Sequence, residues 1–119
     1  MRATIYLILI LTGICFTGNA QKVTLDYYFN HEVHTTSSGK IERYHYLWED
    51  KANTGFSILG DAFKKAGAQL DTLGTAPTAT NLKGTAIYII VDPDTRKESP
   101  NPNYILPDNI KEIAAWVMQ

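Results

Sequence analysis

The run Ala86-Ile87-Tyr88-Ile89-Ile90-Val91, held between Gly84 and Asp92-Pro93, decides the fold. Six consecutive apolar residues, mostly β-branched and bounded by turn formers, match a strand covered on both faces. That pattern predicts the centre of a parallel sheet. Upstream, Val23-Thr24-Leu25-Asp26-Tyr27-Tyr28-Phe29 is β-branched and aromatic, with Val23, Leu25, Tyr27 and Phe29 on one face, and predicts a second strand. Ala68 to Leu73 alternates weakly and predicts a short third one.

Two helices separate these strands. Phe56, Leu59, Phe63 and Ala66 recur at three- and four-residue spacing, which predicts a helix over 55–66 with Asp61, Lys64 and Lys65 on its wet side. Asn53 or Thr54 is suited to cap its start, and Gly67 falls where a left-handed residue ends a helix. After the proline-rich stretch 92–107, Pro107 and Asp108 open a second helix whose inner face is Ile110, Ile113, Ala114 and Val117. Asn30 to Lys40 is polar and predicts a loop. Ile41 to Trp48 fits a short strand or an ordered loop equally well, and 74–84 reads as a connection with a helical turn near Asn81-Leu82.

The order strand, helix, strand, strand, helix places the strands in one parallel sheet, most simply in the order 2-1-3. This predicts an α/β, three-layer, flavodoxin-like or Rossmann-like sheet, of which only the N-terminal part is present. A helix at 107–117 is expected to lead into a further buried strand, so the domain over 21–119 is expected to be incomplete. The apolar strand edge and helix face left by truncation predict an oligomeric or aggregating protein of marginal stability.

The first twenty residues read differently. Met1-Arg2 gives a basic start, Ile5 to Phe16 is apolar apart from Thr12 and Gly13, and Gly18-Asn19-Ala20 supplies small residues for a signal peptidase. A cleavable signal peptide over 1–20 predicts an exported protein, periplasmic or extracellular, that meets the membrane only during export. Acylation at Cys15 fits less well, because Ile14 stands where a small residue is needed. Cleavage removes the only cysteine among the 119 residues, which excludes disulfides and thiolate chemistry from the mature form. Eleven basic against twelve acidic side chains leave no surplus to neutralise phosphates, so nucleic acid is not an expected partner.

The stretches Leu25-Asp26, Tyr28-Phe29-Asn30-His31-Glu32, His45-Tyr46-Leu47-Trp48-Glu49-Asp50-Lys51-Ala52-Asn53, Asp61–Ala68 and Tyr88-Ile89-Ile90-Val91-Asp92-Pro93-Asp94 resemble a domain of secreted Bacteroidetes proteins. That domain is similar to the class I glutamine amidotransferase-like, or ThuA-like, fold and has no assigned function. It often follows the catalytic barrel of unsaturated rhamnogalacturonyl hydrolases, which finish pectin degradation. The resemblance spans nearly all of 23–117 and implies a link to plant-glycan breakdown. It carries over no hydrolase activity, which resides in a separate domain of the longer proteins.

In a parallel sheet, ligands gather where the strand order reverses, outside the C-terminal ends of the strands. Asn30, His31 and Glu32 follow the first strand, and Asp92 and Asp94 follow the last. Glu49, Asp50 and Trp48, with Tyr44 and Tyr46, are expected near the same rim. Carboxylates accept sugar hydroxyls and rings cover the apolar sugar face, so these residues predict a saccharide site. The competing expectation is structural: Asp92 and Asp94 shape a proline turn, and the aromatics pack the domain. A hydrolase using Glu32, Glu49 or Asp92 would need two carboxylates at a set separation, which the sequence does not supply. His31-Glu32-Val33-His34 with His45 lacks the helical HExxH spacing of a zinc site, so no metal is expected. No phosphate-binding glycine motif occurs, Lys64-Lys65 is the wet side of a helix, and no cofactor is called for. The function expected is a non-catalytic accessory domain that packs on a glycosidase or binds saccharide weakly. The alternative is an N-terminal fragment of a longer protein without independent function.

Overall fold

The computed structural model describes residues 20–119; the signal-peptide reading of 1–20 lies, but for Ala20, outside them. Its elements run β1 (Lys22–Asp26), β2 (Val33–Thr35), β3 (Ile41–Arg43), α1 (Ser57–Lys65), β4 (Gln69–Leu73), β5 (Thr85–Ile89) and α2 (Pro107–Val117). The molecule is a small α/β fold. Three parallel strands lie in the order β4-β1-β5, and β2 and β3 form a separate antiparallel hairpin. β1 pairs in register with β4 from Lys22↔Gln69 to Asp26↔Leu73. It pairs with β5 on its other side, with one irregularity between Lys22 and Val23.

The sheet order is the expected 2-1-3, with the first strand in the middle, and the reading of 86–91 as the central strand is overturned. β1, not β5, is the strand buried on both faces. Val23 and Leu25 are covered, and so are the alternating Thr24 and Asp26, each at 2% exposure or less. β5 is an edge strand among the described residues, with Ala86 and Ile87 exposed. Its apolar run misled because an uninterrupted hydrophobic stretch reports capacity for burial, whereas the position in the sheet is set by pairing. Thr24 and Thr85 satisfy each other by a hydroxyl bond of 3.0 Å across the β1–β5 pair, which is how β1 tolerates polar residues on its second face.

Both helices form, each docking on a narrower face than its periodicity implies. α1 presents Gly60 inward, where a methyl group would come within 3.0 Å of both Trp48 and Leu70. Trp48 then meets Phe56 and Phe63 edge to face. Leu59 and Ala66 remain exposed. Neither Asn53 nor Thr54 caps α1: Phe56 stands at the cap with no side-chain bond, while Gly67 takes φ +85° past its end as expected. In α2, Pro107 and Asp108 occupy the first turn and Asn109 Oδ1 accepts the Leu106 N–H at 2.9 Å. Its contact residues are Asn109, Ile113 and Trp116, whereas Ile110, Ala114 and Val117 are exposed, which corrects the expected inner face. Trp116 decides this orientation, because its indole N–H bonds the Thr85 carbonyl at 3.2 Å and its ring meets Tyr88 edge-on.

Residues 30–40, expected as a loop, include β2 and the hairpin turn. Gly39 at φ +83° closes that turn by donating its N–H to the Thr36 carbonyl. The hairpin was obscured because all six of its strand residues are exposed and so carry no alternating burial pattern.

Candidate functional site

The loops after β1 and β5 are laced together at the C-terminal ends of those strands. Asp94 N–H donates to the Phe29 carbonyl at 2.8 Å. His31 N–H donates to Asp94 Oδ2 at 3.1 Å, and Asn30 Nδ2 donates to the Asp92 carbonyl at 3.0 Å. Asn103 Nδ2 ties a third segment in by bonding the Tyr28 carbonyl at 2.8 Å. Asn30, His31, Asp92 and Asp94 therefore converge at the rim.

Beneath this lattice lies a residue that the sequence reading passed over. Asp26, at the end of β1, is 1% exposed. Its carboxylate accepts the Tyr88 hydroxyl at 2.6 Å and the Phe29 and Asn30 amides at 2.8 and 3.3 Å. Burial pushes the Asp26 carboxyl above the ordinary aspartate value, against the opposing pull of these donors, among which Tyr88 is the strongest. The Tyr88 phenol is driven up by burial and by its bond to Asp26, so it stays protonated and donates. A charged residue inside an otherwise apolar strand was the available signal.

Glu32 and the segment 44–46 extend the rim. Glu32 Oε2 pairs with His45 Nδ1 at 2.8 Å, and its carbonyl accepts the Tyr27 hydroxyl and the Tyr44 N–H. The Tyr44 ring lies 3.5 Å from the His45 ring, centroid to centroid, and meets His34 edge-on. The Tyr46 hydroxyl donates to Asp92 Oδ2 at 2.8 Å, a bond that raises the Tyr46 phenol above its ordinary value. His45, Tyr46 and Asp92 hold φ of 57°, 46° and 43°, and are the only non-glycine residues with positive φ among those described. Such conformations persist where surrounding contacts over-determine them, and all three meet at this rim.

The remaining expected residues lie elsewhere or serve the backbone. Trp48 donates its indole N–H to the Asp71 carbonyl at 2.8 Å and packs between α1 and β4. Glu49 is exposed. Asp50 accepts the Ala52 N–H at 2.8 Å and shapes the turn before α1. The histidines have separate partners: His45 pairs with Glu32, His34 with the Tyr44 ring, and His31 Nδ1 with the Tyr27 carbonyl at 3.1 Å. Among the described residues, no three side chains drawn from His, Cys, Asp and Glu are grouped to hold a metal ion.

A cavity of about 380 Å³ opens at the other end of the sheet, lined by Val23, Phe63, Ala66, Ala68 and Ile87 among others. Its lining is mostly apolar, with Gln21 at its edge, and shares no residue with the rim. No helix among the described residues is long and apolar enough to cross a membrane. Comparison of the chain with protein-family models, with curated proteins and with solved structures gives no match.

Proposed function

We propose that this chain is an exported, non-catalytic accessory domain of flavodoxin-like type that serves plant-glycan breakdown by binding saccharide weakly at the rim and by packing on a glycosidase partner. The observation that carries the reading is the 44–46 segment. Tyr44 is 41% exposed with its ring tilted against His45, and beside it the Tyr46 hydroxyl is fixed on the exposed Asp92 carboxylate. An exposed ring for the apolar sugar face and an adjoining carboxylate for its hydroxyls are the two elements of a saccharide subsite. The likeness of residues 23–117 to domains that accompany rhamnogalacturonyl hydrolases supplies the substrate class.

The non-catalytic part rests on how the acids are engaged. Glu32 is paired with His45, Asp92 accepts Tyr46, and Asp26 lies beneath the surface. Glycoside hydrolysis uses two carboxyl groups free to act on either side of the scissile bond, whereas Glu32 and Asp92 are each held by a neighbouring side chain. The packing part rests on α2, where Ile110 and Val117 are exposed, with Leu106 at its cap and Met118 beyond its end. Large exposed apolar patches mark protein–protein surfaces.

Titration calorimetry with rhamnogalacturonan oligosaccharides in two forms, with free uronate carboxylates and with those groups methyl-esterified and so neutral, tests the saccharide reading. Binding is expected, and Tyr44→Ala is expected to weaken it by about tenfold, the scale of one aromatic contact. Binding that survives both Tyr44→Ala and Asp92→Asn unchanged would place the saccharide elsewhere. The acceptor-rich rim favours hydroxyl donors, so the neutral oligosaccharide is expected to bind more tightly than the uronate in the absence of divalent ions.

A further inference from the structure

We propose that the exported chain begins at Gln21 and that this glutamine closes into a pyroglutamate ring seated at the mouth of the apolar cavity. The proposal rests on the export reading for the position of the first residue and needs no saccharide. In the sequence, Gly18-Asn19-Ala20 puts the cut of a signal peptidase before Gln21. An amino-terminal glutamine carries its own electrophile, the side-chain carbonyl, within reach of its α-amine. The α-nitrogen bonds to Cδ, the Cδ–Nε2 bond breaks, and Nε2 leaves with the amine's proton as ammonia. Nothing is oxidised or reduced, and no co-reactant is consumed. Holding both groups on one residue makes the attack intramolecular, which favours it strongly over the same reaction between separate molecules.

The fold accommodates the ring. Gln21 is exposed, so its amine and amide in the released chain are open to solvent and to a cyclising enzyme. Its carbonyl accepts the Gln69 N–H at 2.9 Å, at the edge of the β1–β4 pairing that starts with Lys22↔Gln69. Ring closure uses the nitrogen and Cδ of Gln21 and leaves that carbonyl in place, so the strand pairing is untouched.

Charge favours the closed form. Gln21 lines the cavity together with Val23, Phe63, Ala66, Ala68 and Ile87, and none of the lining residues is charged. Asp71, on the neighbouring strand, is already paired with Lys22 at 3.5 Å. A free amino terminus would therefore bring an ammonium group to an apolar surface that offers no counter-charge. The lactam is neutral, and its methylene carbons match the side chains around it. Cyclisation also leaves no free α-amine for an aminopeptidase to attack.

The test is intact mass spectrometry of the protein recovered from the cell that makes it. A freshly released 21–119 chain, handled in parallel, shows whether the loss arises in handling. The expected mass is that of residues 21–119 less one ammonia, with no loss in the fresh control. The mass of 21–119 without that loss would overturn the ring while leaving the cut, and the export reading, in place. A chain that keeps residues before Gln21, or begins after it, would overturn the cut and the ring together. Gln21→Ala is expected to be cut at the same bond and to show no loss. A loss that survives this substitution would also overturn the proposal, by placing the reaction on another side chain such as an asparagine. Amide NMR tests the seat: treating the fresh chain with a glutaminyl cyclase is expected to shift the signals of Phe63, Ala66, Ala68 and Ile87. Shifts confined to Lys22 and Val23 would show the ring turned to solvent and overturn its seating.

Discussion

At the residue scale, Asp26 links the sheet to the rim. Its carboxylate gathers the Phe29 and Asn30 amides, fixing the loop that carries Asn30 and His31, and Tyr88 ties it to β5. Because burial raises its folded pKa above the ordinary 3.8, the unfolded chain ionises Asp26 first as pH climbs. The stability it contributes is therefore fully present below that ordinary value and is lost as pH rises through the raised one. Thermal unfolding of the protein and of Asp26→Asn, compared from about pH 3 to about pH 8, checks the sign. The unmodified protein is expected to lose stability relative to the variant as pH rises over the lower part of that range. A relative gain would mean that the three donors outweigh burial and hold the carboxyl below its ordinary value. Asp26 was quoted in the sequence but not read as functional, because a strand pattern shows that a residue is inward without showing what it bonds. The rim pairs Glu32–His45 and Tyr46–Asp92 were hidden for the same reason: partners that lie 13 and 46 positions apart leave no local signature.

At the element scale, short-range chemistry was legible where it acts within one turn. Pro107 and Asp108 start α2 and Gly67 ends α1 as their residue types require. The order β4-β1-β5 followed from strand-helix-strand succession alone. The face each helix buries was legible only in part: Phe56, Phe63 and Ile113 pack as expected, but Trp116 and Gly60 set the orientation by fitting partners distant in the chain. The segment before α1 shows the same dependence. Asp50 N–H and Phe56 N–H both bond the Leu47 carbonyl, and Gly55 is wedged against the Asp50 carbonyl, where an added methyl would sit only 2.1 Å from that oxygen. Backbone must move to relieve such a contact. Gly55→Ala is expected to destabilise the protein by about 2–3 kcal/mol, the upper part of the usual range for overpacking. Chemical denaturation measures it, and a loss below about 0.5 kcal/mol, the level of an ordinary surface change, would show that the 47–56 segment is free to rearrange.

At the scale of the whole molecule, the two ends of the sheet differ in chemistry. The N-terminal end holds an apolar cavity between α1 and β1, while the C-terminal end holds Asp26, Asn30, Asp92 and Asp94 in one hydrogen-bonded lattice with tyrosines around it. Polar groups gathered at the carboxyl ends of parallel strands are where ligands of such sheets bind. The general position of the rim was legible from topology, and its composition only partly so. Asn30, His31, Asp92 and Asp94 meet there, whereas Trp48 packs between α1 and β4. Packing a large ring against a glycine contributes more than leaving it free at the rim, which is why aromatic content alone does not locate a sugar platform. The most direct test of the account is an amide NMR titration with methyl-esterified, and so neutral, rhamnogalacturonan oligosaccharides. Shifts concentrated in residues 30–32, 44–46 and 92–94 are the predicted result. Shifts centred on the apolar cavity at the other end of the sheet, or none at saturating oligosaccharide, would contradict it.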